Sequence, residues 1–275
     1  MGFHSLRVVV AAAKFNLLIT LRFFSGTAIA LRLFAPIMTL GSAWVLYNQV
    51  YRGVLSPEFG SVVGSSGYLS FIAIGNAFYV FVFSAAFVVG RVMFWERATG
   101  TIEATFLTPM NRLAYMAGIM VAAALNSLID FIAVFLIGIL FGFQVTSLNA
   151  PLFISSLLLT ACALFGIGLM VNGITLTFRD RTTTSNTLMI LFMVFSGIVC
   201  PLELMPQWAQ IISKFLPLTY GIKAMRASLL GTAAYDVMFD LTILGFLGIV
   251  YIGIGALMLK LIERNLKKKA LLSVF

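Results

Sequence analysis

Long apolar runs with Lys and Arg at their ends dominate the sequence. The runs are continuous and do not alternate with period two, which indicates membrane-spanning helices and not the strands of a barrel. With 61% hydrophobic and 10% charged residues, the chain lies far outside the composition of soluble domains. The predicted spans are residues 33–51, 68–89, 114–141, a fourth that follows Pro151 and ends near Phe178, 188–200 and 237–262. We therefore predict one all-α integral membrane domain over residues 1–275, a bundle of about six transmembrane helices.

The distribution of basic residues predicts the orientation of this bundle. Of the 18 Lys and Arg residues, 14 lie on the side that holds both termini. The other side holds Arg52, Lys214, Lys223 and Arg226. Because loops rich in Lys and Arg stay in the cytoplasm, we expect an inner-membrane, multi-pass protein with both termini, the 91–112 loop and the basic tail 263–275 in the cytoplasm. The net charge of +9 is spread over span ends, so no nucleic acid partner is expected.

Residues 1–27 are predicted to form an amphipathic helix at the membrane surface. The basic residues of this segment fall on one narrow face at helical spacing, and Phe, Leu, Val and Ala cover the remainder. Those residues are His4, Arg7, Lys14 and Arg22. The apolar stretch is broken by Lys14, which is not typical of a cleavable signal peptide. The helix is expected to lie in the interface, with membrane lipids as partners.

The stretch from Arg91 to Pro109 is the longest charged interruption between two apolar runs. Gly100 permits a sharp reversal of the chain. Thr101 can cap a following short helix, and Glu103 in its first turn suits the positive end of the helix dipole. That helix should end at Thr108, because the residue before a proline is disfavoured in the α region. The sequence predicts a short rigid helix that joins two spanning helices at the cytoplasmic surface.

The fifth apolar run is short for a full crossing and gives way to proline-bounded pieces. Pro201 and Pro206 flank Glu203, and a helical pattern of apolar residues then runs to Pro217. Because proline interrupts helices, this pattern predicts a span followed by a helical hairpin over 201–226 that dips partly back into the membrane.

Polar side chains inside the predicted spans form a second group of candidates. An ionisable residue in mid-span is costly and usually faces protein or water, which singles out Asp130. Asn126 lies four residues earlier, on the same helix face, and Asn76 and Asn172 lie in other spans. The group either lines a translocation path, with Asp130 as a proton-coupling site, or it holds the bundle in register. In the second case Asp130 pairs with Asn126, Asn172 or Asn76 across helices.

The sequence carries no recognisable catalytic or metal site. The single histidine is His4, and Cys162 and Cys200 lie in or beside apolar runs without metal-ligand spacing. An intramembrane aspartyl enzyme needs a second mid-span aspartate, and only Asp130 is present. The phosphate-binding pattern of nucleotide motors is also absent, so any ATPase must be a separate chain.

The pattern Glu-Arg-x-x-Gly-Thr-x-Glu-x-x-x-x-Thr-Pro, from Glu96 to Pro109, resembles the permease subunits of ABC-2 type exporters. The drug-resistance and Nod-factor export branches are the most similar, and the likeness extends to the Pro201–Pro206 and Leu216–Tyr220 segments. It implies that the 91–112 loop docks on a cytoplasmic ATPase. The implied coupling residues are Glu96, Arg97, Gly100, Thr101, Glu103, Phe106, Leu107, Thr108 and Pro109.

The same resemblance implies an extracellular gate formed by the re-entrant hairpin. Its implied residues are Pro201, Glu203, Pro206, Pro217 and Tyr220. It further implies an exporter of an amphipathic substrate (a drug, a lipid-like molecule or a lipid-linked glycan) assembled with a second copy or a related permease. ATP and Mg would be bound by the partner ATPase, and no cofactor is expected in this chain. The alternative is a proton- or ion-coupled secondary carrier that uses Asp130; an ATPase gene in the neighbouring reading frame would favour the exporter.

Overall fold

The computed structural model describes residues 3–22, 26–53, 67–100, 108, 110–143, 145, 147–178, 183–231 and 234–268. These residues form nine α-helices and no strand, which confirms the all-helical prediction. The helices are α1 (Phe3–Arg22), α2 (Gly26–Val45), α3 (Gly67–Ala98), α4 (Arg112–Leu140), α5 (Ala150–Phe178), α6 (Thr183–Phe195), α7 (Gln207–Phe215), α8 (Pro217–Leu230) and α9 (Ala234–Lys268). A π-helical turn, Leu46–Val50, continues α2.

Four of the described helices are long and apolar enough to cross a membrane. Their candidate spans are Gly67–Gly90, Arg112–Leu140, Ala150–Ile174 and Val237–Ile262. The two other predicted spans fall on α2 and on α6, and α6 has only 13 helical residues. Four spans therefore correspond to expected positions, and the total of six stays a prediction.

Local sequence signals set several helix ends. Asn111 caps α4, since its side-chain oxygen accepts hydrogen bonds from the backbone N–H groups of Leu113 at 3.0 Å and Ala114 at 3.4 Å. Pro206 directly precedes α7, and Pro217 is the first residue of α8. The first residue of a helix makes no intrahelical bond through its N–H, so proline is tolerated there. Gly231 ends α8 with φ +79°. The predicted hairpin therefore consists of two short helices, α7 and α8, and a proline lies at the start of each.

Helix α3 is the centre of the bundle, with α4 packed along one side and α5 along another. Small residues let α3 and α5 approach closely, because a Cβ added to Gly168 would lie 2.8 Å from a Val89 side-chain carbon. Helix α9 packs on the far side of α5 in the same way, and a Cβ on Gly166 would lie 2.9 Å from the Cβ of Tyr251. Fully buried Phe78 and Leu164 lie in the core between these helices.

The remaining helices attach to this core unequally. Helix α1 lies against α4, where Gly118 leaves room for Ala12: a Cβ at residue 118 would come within 2.7 Å of the Ala12 Cβ. Helix α8 packs on both α5 and α9. Helices α2 and α6 make few contacts with the remainder of the chain.

Candidate functional site

The end of α3 beyond its candidate span is tied to the start of α4. Glu96 is buried, with 8% of its surface exposed, and it lies beside the phenol of Tyr115 on α4. Thr99 donates from its hydroxyl to the Glu96 carbonyl at 3.2 Å, and Gly100 then turns the chain with φ +72°. Gly100 thus has the left-handed backbone that a sharp turn favours, and the reversal predicted beyond it stays a prediction. The Glu96 carboxylate faces the junction between the two helices and not the surface, so this side chain braces α3 against α4.

The short helix predicted over 101–107 lies outside the described residues. That gap includes Thr101, Glu103, Phe106 and Leu107, and Pro109 and the side chain of Arg97 are likewise outside the description. Thr108 is exposed, and the chain returns to the bundle at the Asn111 cap. The ATPase contacts assigned to these residues stay predictions.

Polar residues inside the bundle bind partners on neighbouring helices. The Ser84 hydroxyl on α3 donates to the Asp130 carboxylate on α4 at 3.3 Å. Asn76 on α3 donates to the hydroxyl of Thr39 on α2 at 2.9 Å. Each bond joins two helices, as the structural interpretation of this group requires.

Asn172 on α5 is fully buried and makes a third cross-helix link. Its side-chain amide donates to the Val89 carbonyl of α3 at 3.1 Å and lies 3.4 Å from the sulfur of Met116 on α4. At 1.5 Å per residue, the three contact points on α3 (residues 76, 84 and 89) lie at depths separated by roughly 12 Å and 8 Å. Asn126 lies one turn before Asp130 on α4 and is partly buried. The polar group is therefore spread along α3, and it holds α2, α4 and α5 against that helix.

The α7–α8 hairpin is closed by two tyrosines. Tyr220 donates from its phenol to the Lys214 carbonyl at the end of α7 at 3.0 Å. Burial, and secondly the negative charge of Asp240, raise the pKa of Tyr220 above its ordinary value, which keeps the phenol protonated as a donor. Tyr251 on α9 donates to the Phe215 carbonyl at 3.2 Å. These bonds fix the corner between α7 and α8 to α9.

The segment between α6 and α7 is held by its prolines and by one arginine. Pro201 is buried, and Pro206 and Glu203 are exposed. Arg226 on α8 donates to the carbonyls of Gly197 at 2.8 Å and Ile198 at 2.9 Å, just past the end of α6. Its guanidinium thereby satisfies carbonyls that the end of a helix leaves without partners.

Arg226 also reaches the central helix. It lies 3.4 Å from the carbonyl oxygen of Phe71 on α3, and the guanidinium carbon lies 3.5 Å from the centre of the Phe71 ring. Sequence reasoning counted this arginine only as an external basic residue. A signal was available: it follows Ile222 by four residues and precedes Leu229 by three, which places it on the inward face of an apolar helix.

Beside this corner is a small polar crevice of about 140 Å³ between α7, α8 and the turn before them. Its lining includes Glu203, Gln210, Lys214 and Lys223. Within the described ranges, no group of three or more His, Cys, Asp and Glu side chains could hold a metal ion.

Comparisons with known proteins agree with this architecture. The family model described as ABC-2 type transporter matches residues 10–230, from within α1 to the end of α8. Among curated proteins, none matches the chain significantly. Because the matched region is most of the sequence and the fold is an apolar helical bundle, the chain belongs to the ABC-2 type transporter family.

Proposed function

We propose that this chain is the permease subunit of an ATP-driven exporter in the cytoplasmic membrane, with both termini in the cytoplasm. Membership of the family implies transport and an ATPase partner in general. The asymmetry of basic residues supports the orientation. A second permease copy or a related permease would complete the membrane part, and the ATPase would bind ATP and Mg.

The observation that carries this proposal is the length of α3. Its candidate span ends at Gly90, but the helix continues to Ala98, about 12 Å farther at 1.5 Å per residue. The extension is braced to α4 through Glu96 and Tyr115 and ends at the Gly100 reversal. A force applied to residues 101–107 therefore acts directly on the central helix of the bundle.

The opposite end of α3 supports a gate. Phe71, close to the other end of this helix, contacts Arg226, which also binds the carbonyls after α6. A movement of α3 is thus transmitted to the α6–α8 corner, where Pro201, Glu203, Pro206, Pro217 and Tyr220 are the proposed gate residues. The proposed cargo is amphipathic, a drug, a lipid-like molecule or a lipid-linked glycan, as in the drug-resistance and Nod-factor export branches.

The test compares two glycines with the same backbone conformation on opposite sides of the membrane. Gly100 and Gly53 have φ +72° and +74°, and among the described residues an added Cβ meets no atom within 4 Å at either position. Gly100→Val and Gly53→Val should therefore cost similar stability, on the order of 1–3 kcal/mol from backbone strain alone. Only Gly100→Val should abolish stimulation of ATP hydrolysis by substrate, or release the co-purifying ATPase.

Glu103→Lys reverses a charge at the predicted docking contact and should weaken ATPase binding, chiefly through faster dissociation. Ser147→Lys, in an exposed segment on the opposite side, should leave binding and transport at wild-type levels. Wild-type coupling in both Gly100→Val and Glu103→Lys would show that residues 91–112 are only a connector.

A further inference from the structure

An open apolar groove runs along the outside of the bundle between α4 and α5. Both helices pack closely on α3 but scarcely touch each other, so Phe81 of α3 forms part of the groove floor. The groove has a volume of about 680 Å³, and apolar side chains dominate its lining. Its rims carry Val121 of α4 and Leu158 of α5, which are 46% and 62% exposed.

The dimensions of this groove match a lipid tail. It extends from Ala117 to Ile132 on α4 and from Phe153 to Phe165 on α5, all within candidate membrane spans. At 1.5 Å per residue these stretches are roughly 18–22 Å long. One leaflet of a hydrocarbon core about 30 Å thick is roughly 15 Å deep, so the groove accommodates an acyl chain along the depth of one leaflet.

A second groove, between α1 and α4, joins the first. The two share Val121 and Leu125, and the second is bounded on α1 by Val10, Leu17 and the exposed Lys14. Val121 lies nine residues from the Arg112 end of α4, the end assigned to the cytoplasmic side, and Leu125 lies near the middle of the helix. Because a lysine stem is long and flexible, Lys14 can extend its cation from this depth toward that membrane surface.

We propose that these joined grooves bind one anionic phospholipid of the cytoplasmic leaflet, with an acyl chain between α4 and α5 and the phosphate at Lys14. An apolar helix seated over the same path would cover the ammonium group of Lys14 without pairing it, which is costly. A phosphate pairs it and leaves the lysine stem along the apolar wall. The cytoplasmic leaflet is the one rich in anionic lipids, and basic residues near its surface attract them. The site rests on the membrane orientation of the proposed function.

Native mass spectrometry of the full chain, extracted from membranes and exposed to acyl-matched phosphatidylglycerol and phosphatidylcholine, tests this site. The wild type should retain one phosphatidylglycerol per chain, about fivefold more than phosphatidylcholine. Lys14→Glu should remove that preference, and Leu158→Trp, which fills the groove, should reduce retention of both lipids. The matched controls are Lys260→Glu, another exposed lysine, and Ile249→Trp, which is 74% exposed on α9. Both controls should behave as wild type.

Two results would overturn the site. One is equal retention of the two lipids by the wild type, or unchanged retention in Leu158→Trp. The other is a change of oligomeric mass in Leu158→Trp without lipid loss, which would assign the groove to a second copy of the chain. Retention is measured without ATP, so the lipid site and the ATPase partnership can fail independently of each other.

Discussion

Arg226 and Asp130 are charged residues whose described hydrogen-bond partners are neutral: backbone carbonyls for the first and the Ser84 hydroxyl for the second. Hydrogen bonds that involve a charged group are stronger than neutral ones, and leaving a buried acceptor without its donor costs free energy. A substitute for Arg226 must therefore provide different hydrogen-bonding groups from a substitute for Asp130. Arg226 has to be replaced by a fork of donors, and Asp130 by a group that accepts from Ser84.

Arg226→Ala should lower the free energy of unfolding by about 2–3 kcal/mol, because the carbonyls after α6 lose their donor. Arg226→Lys should recover only part of this, since an ammonium group lacks the planar fork that bridges two carbonyls. Thermal unfolding in detergent measures the effect. Lys223→Ala, an exposed lysine on the same helix, is the control and should be neutral. Equal melting temperatures for Arg226→Ala and Lys223→Ala would refute the assigned role.

Asp130→Asn should assemble and transport as the wild type does, because the amide oxygen still accepts the hydrogen bond of Ser84. Asp130→Leu should reduce yield in the membrane, since Ser84 then loses this acceptor. Yield and transport are measured in the same vesicles. Normal assembly of Asp130→Asn with abolished transport would instead support the secondary-carrier alternative, in which this carboxyl carries a proton.

At the scale of helices, the contact between α1 and α4 depends on the absence of a side chain at Gly118. The Cβ of an alanine there would lie 2.7 Å from the Cβ of Ala12, inside normal contact distance. Gly118→Ala should therefore destabilise the docking of α1 by about 1–3 kcal/mol. Faster cleavage near α1 by an added protease, together with a lower melting temperature, would report the loss.

Gly253→Ala is the matched control for that substitution. It also lies inside a helix, but an added Cβ there meets nothing within 4 Å. Because alanine favours helix more than glycine does, this variant should be neutral or slightly stabilised. If Gly118→Ala were as protease-resistant as Gly253→Ala, α1 would not depend on this close approach.

The α7–α8 hairpin shows how far local sequence signals reach. Pro206 and Pro217 predicted the two bounds of α7 because proline acts on its immediate neighbours. The same signals did not predict Tyr251 as the residue that fixes the corner, since its partner Phe215 is 36 residues away. Turns and helix caps depend on neighbouring residues, so they can be predicted from the sequence. Side-chain partners on different helices cannot.

At the scale of the whole molecule, the basic asymmetry predicts which segments face the cytoplasm. In a chain whose native Cys162 and Cys200 are replaced, cysteines at Ser61 and Thr232 should react with an impermeant thiol reagent in intact cells. Cysteines at Thr99 and Ser273 should react only after lysis. Reaction at position 99 from outside would reverse the orientation and place the 91–112 loop away from any cytoplasmic ATPase.

The sequence predicted the helical membrane fold because hydropathy is a property of short segments, and it predicted a turn at Gly100, where φ is +72°. It assigned Glu96 to the surface, whereas the bundle buries this residue against Tyr115, 19 positions later. It likewise expected Asn partners for Asp130 and did not single out Ser84, because that pairing depends on the packing of α3 against α4. Candidate residues could be found from the sequence; their partners required the fold.

The reach of Arg226 to Phe71 has a consequence for biogenesis. The two residues are 155 positions apart, so at about 5–20 residues per second α3 is made roughly 8–30 s before the side chain that closes on it. A nascent chain that stops short of Arg226 already contains α1 to α7, but not the guanidinium that ties the end of α6 to α3. Closure of the corner between α6 and α8 is therefore expected to be a late step of synthesis, after α8 has been made.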